Sequence, residues 1–228
     1  MLLSAMSNDE EVSHGLAQGA DDYVTKPFDI NNVLRRVESL LRTNADVHAI
    51  DDTTSLPGAA AVKREVQKRV CRQEVFSLAC IELMRLREFG FKLGGDARNR
   101  VVRHLARGLT VCAEGLSEGE FVAGHMGGGY FACLVNPEHA EPYCLRVHEV
   151  WQSHLSSLYD HFNMGEAYRQ IVGGKPDKGF PLLSLLVCVT THHQRDILSS
   201  QELFEILMKM RNNALASNSP GVHFDRRA

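Results

Sequence analysis

The stretch "EFVAGHMGGGYFACLVN", residues 120–136, restricts the fold of this chain more than any other. Two apolar runs flank Gly127, Gly128 and Gly129, the pattern of two strands joined by a tight glycine turn. A lone hairpin is marginal in water, so these strands need a larger sheet and cover. The chain offers both. "VFSLACIELM" (75–84) and "PLLSLLVCVTT" (181–191) are near-continuous apolar runs of strand length, as expected of strands buried on both faces. Helical spacing of apolar residues marks "GAAAVKREVQKRV" (58–70), "ARNRVVRHLARGL" (97–109) and "EPYCLRVHEVWQSHLSSLYDHF" (141–162). A last helix, "SSQELFEILMKMRNNALA" (199–216), opens on a Ser-x-x-Glu-like cap. The alternation predicts an α/β sandwich, with helices packed over a mixed central sheet.

The first part of the chain reads differently. "LLSAM" (2–6) is the end of a buried strand, "NDEEVSHGLAQGA" (8–20) a short helix, and "DYVTKPF" (22–28) a short strand that stops at Pro27. In "DINNVLRRVESLLR" (29–42), Asp29 is placed to cap a helix. Ile30, Val33, Leu34, Val37, Leu40 and Leu41 form one apolar stripe along it. Residues 43–55 are polar and rich in turn formers, which places a linker there. The expected division is a first unit at 1–43, a linker at 44–50 and a second unit at 51–228.

Composition narrows the classes. A net charge of -3 and a pI near 6.4 argue against a general nucleic-acid binder. No apolar run approaches the ~18 residues needed to span a bilayer, so no membrane partner is expected. "MLLSAMSNDEE" turns acidic too early for a secretory signal. Six scattered cysteines without a CxxC pair read as reduced thiols, mostly small core residues, in a cytoplasmic protein. "VGGKPDKGF" (172–180) lacks the spacing of a P-loop and reads as a loop. His192 and His193 point to opposite faces of a strand and are poor joint ligands. His148, His154 and His161 read as surface or partly buried helix residues, and Trp151 as a packing anchor. Arg98, Arg100, Arg103 and Arg107 lie along one helix, as a solvated face or a partner surface.

Two resemblances give these segments chemistry. "LLSA" and "GADDYVTKPF" resemble the C-terminal third of a response-regulator receiver domain, a flavodoxin-like fold. The resemblance puts Ser4 at the switch hydroxyl, Tyr23 at the aromatic switch and Lys26 at the phosphate-contacting lysine. The peptide before a proline is conformationally restricted, which suits a lysine that must aim an ammonium at an aspartyl phosphate. The receiver's acidic pocket and phospho-acceptor are expected upstream of Met1. In receivers the last helix commonly forms a dimer face, which points to a homodimer through Ile30–Leu41.

Residues 51–224 resemble a GGDEF domain, the diguanylate cyclase fold. "DDTTSLPG" is similar to the family's opening "DxLTGLPNR" and keeps Asp51, Thr54, Leu56 and Pro57. "GHMGGGYF" falls on "RxGGDEF" without a gap. Gly127, Gly128 and Phe131 are kept, Gly129 and Tyr130 replace the acidic pair, and His125 stands at the arginine.

The departures bear on the chemistry. Cyclisation of GTP is phosphoryl transfer, which depends on positioning and on metal ions held by carboxylates. By the resemblance, "ELMRLREFGF" matches the metal- and guanine-binding segment "DxDxFKxxND". Glu82 keeps an acid at the first metal position, while Gly90 and Phe91 stand where the guanine-reading Asn and Asp would be. Of "GHxxGD" only Gly94 survives in "GGDARN". "RNNALASNSPG" offers no clear counterpart of the last helix's lysine. The inhibitory "RxxD" becomes "EGEF" (118–121), with no arginine fork for a phosphate. The expectation is therefore a degenerate domain, with no catalytic residue, metal or cofactor, whose glycines keep a turn. Phe131 should be buried, Tyr130 should lie at the old cleft, and a glycine among 127–129 should have positive φ. The expected function is signalling through contacts with an unidentified protein. The alternatives are a GTP or cyclic di-GMP sensor without turnover, in which the glycine backbone still cradles phosphate, and a weak diguanylate cyclase.

Overall fold

The computed structural model describes residues 2–4, 23–35, 37, 50–117, 119–175, 177, 179–192 and 199–225. Near the N terminus, β1 (Leu2–Ser4) and β2 (Tyr23–Thr25) pair in parallel, with Ser4 opposite Thr25. Helix α1 covers residues 30–35. Asp29 caps it as expected: its side chain accepts from the Asn31 N–H at 2.9 Å and its carbonyl from the Val33 N–H at 3.1 Å. Ile30 and Leu34, half of the stripe's first four residues, are exposed. The helix expected at 8–20, the linker positions 44–49 and the stripe residues Leu40 and Leu41 lie outside the described residues.

The larger unit is built on a five-stranded sheet in the order β4–β5–β3–β6–β7. The strands are β3 (Ser77–Met84), β4 (Phe121–Gly127), β5 (Tyr130–Val135), β6 (Ser184–Thr191) and β7 (Gly221–Phe224). All pairings are antiparallel except β6 with β7, so the sheet is mixed, as expected. Six helices cover it: α2 (Ala59–Cys71), α3 (Leu86–Leu93), α4 (Gly95–Cys112), α5 (Pro137–His161), α6 (Gly165–Val172) and α7 (Ser200–Ala216). Alternation along the strands sorts the core into two layers. Ile81, Leu83, Phe131, Cys133 and Val187 pack under α3, α4 and α5. Leu78, Ala132, Leu134, Leu186 and Cys188 pack under α2 and α7. Burial on both faces explains why β3 and β6 read as continuous apolar runs.

Three elements carry no clear mark in the sequence. α3 and α6 span eight residues each, too short for a periodic stripe. β7 is four half-buried residues at the sheet edge, without alternation. α5 begins at Pro137, four residues before the predicted start. Asn136 caps it, accepting from the Glu138 N–H at 3.3 Å, and proline is well tolerated at the first helical position. Trp151 is buried, as a packing anchor should be, and the six cysteines are unpaired with four of them buried.

One glycine outside the hairpin is required by packing. A Cβ on Gly124 would lie 2.0 Å from Val62 Cγ2 and 2.8 Å from the Pro57 carbonyl. Its absence lets the start of α2 and the preceding loop rest directly on β4, where the His125 N–H donates to the Pro57 carbonyl at 2.8 Å.

Candidate functional site

Glu82 on β3 and Tyr130 on β5 face each other across neighbouring strands. Their even-numbered positions share a face with Ala132 and Leu134, the face covered by α7. Arg211, three turns into α7, reaches them. Its Nε donates to Glu82 Oε2 at 2.5 Å and its Nη2 to Oε1 at 2.8 Å. The Tyr130 hydroxyl donates to the same Oε1 at 2.8 Å and accepts from Arg211 Nη2 at 3.0 Å. The guanidinium carbon sits 5.7 Å from the Tyr130 ring centroid. The Glu82 and Arg211 side chains are only 13% and 23% exposed, so the fork is partly withdrawn from water. Its hydrogen bonds to Glu82 push the Arg211 guanidinium's proton affinity further up. Burial, then the hydrogen bond to Glu82, raises the Tyr130 phenol.

Arg211 brings a cation to the site from the stretch in which the sequence offers no clear counterpart of the family's lysine. The arginine begins "RNNALASNSPG" itself. It lies one turn after the buried Leu207 and beside the buried Met210, on the edge of the helix's inner face. An arginine on an apolar edge was the available signal, but nothing in the sequence links it to a glutamate 129 positions away.

Below this cluster a cleft of about 680 Å³ opens between the hairpin tip, the end of β3 and α3. It is the place where the resemblance puts metal and triphosphate. Tyr130 lies on its wall and is 41% exposed, while Phe131 is buried on the opposite face. Gly127 and Gly128 have φ of 103° and 61°, so the turn does use conformations that disfavour a side chain. Gly129 is limited by space instead: a Cβ there would lie 3.1 Å from the Leu83 carbonyl and 3.0 Å from Leu86 Cδ2. Gly90 sits under Arg98, whose Cδ would be 3.2 Å from a Cβ. Phe91 is 77% exposed with the Arg87 guanidinium 5.3 Å from its ring centroid. The two positions where the resemblance puts guanine-reading groups thus hold a glycine beneath Arg98 and an exposed ring.

Mg²⁺, which the resemblance implies, does not fit these residues. Both Glu82 oxygens already accept from a guanidinium, and one also from a phenol. Among the described residues no group of three His, Cys, Asp or Glu side chains could share a metal.

A second polar cluster lies behind the hairpin. Asp51 Oδ1 accepts from the Thr53 N–H at 3.1 Å, the Thr54 N–H at 2.9 Å and the Thr54 hydroxyl at 2.8 Å. His125 Nδ1 is 3.0 Å from the same oxygen, and its Nε2 donates to the Gly128 carbonyl at 3.1 Å. The imidazole thus lies between Asp51 on one side and the Gly128 carbonyl on the other. Burial raises the Asp51 carboxyl, but hydrogen bonds from His125 and Thr54, with the charge of His125, hold it below the usual carboxylate range. The polar run at 51–55, read as part of a linker region, is thus an ordered turn anchored to the hairpin.

At "EGEF", Glu118 lies outside the described residues. The Gly119 carbonyl accepts from Arg69 Nη2 at 2.8 Å, while Arg69 Nε is spent on Glu65 at 3.1 Å. At the receiver-like segment, the Lys26 N–H donates to the Ser4 carbonyl at 2.7 Å, so two of the three switch positions meet at the strand ends. Tyr23 lies in β2. His192 Nδ1 lies 2.9 Å from the Glu74 carbonyl and its ring stacks on Phe76, a packing role; His193 lies outside the described residues.

No protein-family model matches the chain. The chain is similar to the response regulator ArlR of Staphylococcus epidermidis, with 39% identity over 51 residues, or 22% of this chain. It spans only 23% of that relative's length. In structure it is similar to the diguanylate cyclase SiaD of Pseudomonas aeruginosa, solved with its activator SiaC, at a TM-score of 0.57 and 18% identity. That likeness covers 86% of this chain and 69% of SiaD. It is also similar to the coiled coil and GGDEF domain of DgcB from Caulobacter crescentus, solved with c-di-GMP. There the TM-score is 0.56 and the identity 13%, over 86% of this chain and 95% of the other. The chain thus has the GGDEF fold, preceded by a short segment similar to response regulators. Among the described residues no helix is long and apolar enough to cross a membrane.

Proposed function

We propose that this chain is a response-regulator-type signalling protein of the cyclic di-GMP type whose GGDEF unit works through protein contacts and not by cyclising GTP. The observation that carries this reading is the fork of Arg211 on Glu82. A guanidinium neutralises the one acid left at the first metal position, and Tyr130 covers it. The division at 1–43, 44–50 and 51–228 is part of the proposal, as is a cytoplasmic location. SiaD, a chain that contains this fold, was solved in complex with a protein activator. The test is incubation of the purified chain with GTP and Mg²⁺, with product read by chromatography. No cyclic di-GMP above a protein-free control is expected, and steady formation would defeat the reading.

A second reading rests on the cleft. Arg85, Arg87 and Arg98 line it together with the Gly128 and Gly129 backbone, a set of cations and turn backbone that suits phosphate without a metal. Isothermal titration with GTP, GDP and cyclic di-GMP, with and without Mg²⁺, separates the readings. Metal-independent binding that is lost in Arg98→Ala would favour a sensor.

A further inference from the structure

The arginines of α4 do not act as one stripe. Arg98 turns to the cleft, whereas Arg100, Arg103 and Arg107 line a groove between α4 and α5 on another side of the unit. This groove has two adjoining parts that share His104 and Arg107. One, of about 380 Å³, is basic, with Arg100 and Arg103 on its wall. The other, of about 240 Å³, is mainly apolar and is lined by Val111, Val147, Val150 and Trp151. From Arg100 to Val111 the α4 wall runs for three turns, about 16 Å at 1.5 Å per residue.

Three observations indicate that the groove is made to be filled from outside. The first is charge. Among the described residues Arg103 and Arg107 make no ion pair, and Arg100 has only a 3.4 Å contact with His161. On a chain of net charge -3 this is a local excess of cation. The second is Gly108, in the interior of α4, where glycine costs helix stability. A Cβ there would meet nothing within 4 Å, so neither packing nor backbone geometry demands the glycine, and its missing side chain leaves the groove floor open. The third is the floor itself. Trp151 is buried, and its indole N–H has no acceptor among the described residues, while Val111 at the rim is 49% exposed.

We propose that the α4–α5 groove is the docking site for an acidic amphipathic segment of a partner protein. Its carboxylates would meet Arg100, Arg103 and Arg107, and an aliphatic or aromatic side chain would enter the apolar end beside Gly108. The pairing of guanidinium forks with carboxylates provides register, and the apolar anchor provides most of the affinity. The groove length matches an occupant of ten to twelve residues in helical form, by the same ~1.5 Å rise. This deepens the protein-contact reading and rests on it.

The test is selection of a random twelve-residue peptide library on the full chain, followed by anisotropy titration of the enriched peptides. They should carry two or more carboxylates and one large apolar residue. Gly108→Phe, which plugs the floor, and the surface pair Arg103→Glu with Arg107→Glu should each weaken binding at least tenfold. Arg72→Glu, at the exposed arginine that follows α2, should leave it unchanged. Raising the salt concentration should weaken binding further. Enrichment of peptides without acids, equal binding by the groove variants, absence of enrichment, or displacement by phosphatidylglycerol vesicles would overturn the proposal. Peptide binding is measured without GTP, so its failure stays distinct from detection of cyclic di-GMP, which would remove the first reading alone.

Discussion

Two polar clusters bracket the β4–β5 hairpin, and they have taken departures from the GGDEF pattern in opposite ways. Behind the hairpin, His125, which the resemblance puts at an arginine position, touches Asp51 and Gly128. Through these contacts the turn at 51–55 is tied to the sheet. In front, Gly129 and Tyr130 stand where the resemblance puts an acidic pair, and Glu82 has Arg211 as its counter-ion. The first cluster joins two separate parts of the fold, a turn and a hairpin. The second is a salt bridge closed within the chain, at the position where the resemblance puts a metal-binding acid.

The contrast can be broken by mutation. Asp51→Ala should have the largest effect. It removes three hydrogen bonds and leaves His125 facing an empty site, for about 2–4 kcal/mol of destabilisation. Thermal and urea melts read this directly, and a loss under 1 kcal/mol would mean the turn is held by something else. Arg211→Met should cost less, roughly 1–3 kcal/mol, because Glu82 loses its partner in a partly exposed place where solvent screens the charge. Adding Glu82→Gln should recover part of that loss, and a double-mutant cycle showing no coupling would contradict the fork.

Restoring Gly129→Asp and Tyr130→Glu should not create a cyclase. Gly90 and Phe91 still lack base-reading groups, and a Cβ at 129 crowds the Leu83 carbonyl. A cost of about 1–3 kcal/mol from crowding is expected in a melt, with no product from GTP. Any steady product would show that the hairpin alone limits activity.

The smallest expected effect is a pH dependence. The folded Asp51 carboxyl is held below its ordinary value, so its contribution is complete above the unfolded pKa, near ~4. It is lost as pH falls through the lower folded value. The stability gap between the native chain and Asp51→Asn should therefore be constant from neutral pH to about 5 and shrink below about 4. A gap that persists unchanged to pH 2 would show that the carboxylate charge contributes nothing there.

The dimer proposed through Ile30–Leu41 belongs to the other end of the molecule. Ile30 and Leu34 expose apolar surface on α1, the kind of stripe that self-association covers. Sedimentation at rising concentration should show a dimer that Ile30→Glu with Leu34→Glu abolishes. A monomer at all concentrations would dismiss it.

Much of the architecture was legible from local pattern. The hairpin, the apolar runs of β3 and β6, and the stripes of α2, α4, α5 and α7 depend on periods of two and 3.6, which each segment carries within itself. The burial of Phe131 and the place of Tyr130 at the cleft follow from the same alternation. The short elements α3, α6 and β7 were not legible, because eight residues or fewer give too few repeats for a period to show. The fork of Arg211 on Glu82, the seat of Arg98 over Gly90 and the groove beside Gly108 belong to another category. Each joins residues from separate elements, and such contacts depend on how helices settle on the sheet, which a local period does not encode. Residue types and spacings were sufficient to put Gly129 and Tyr130 where the resemblance expects an acidic pair. Only the packing of α7 against β3 and β5 shows that a guanidinium has taken up the acid that remains.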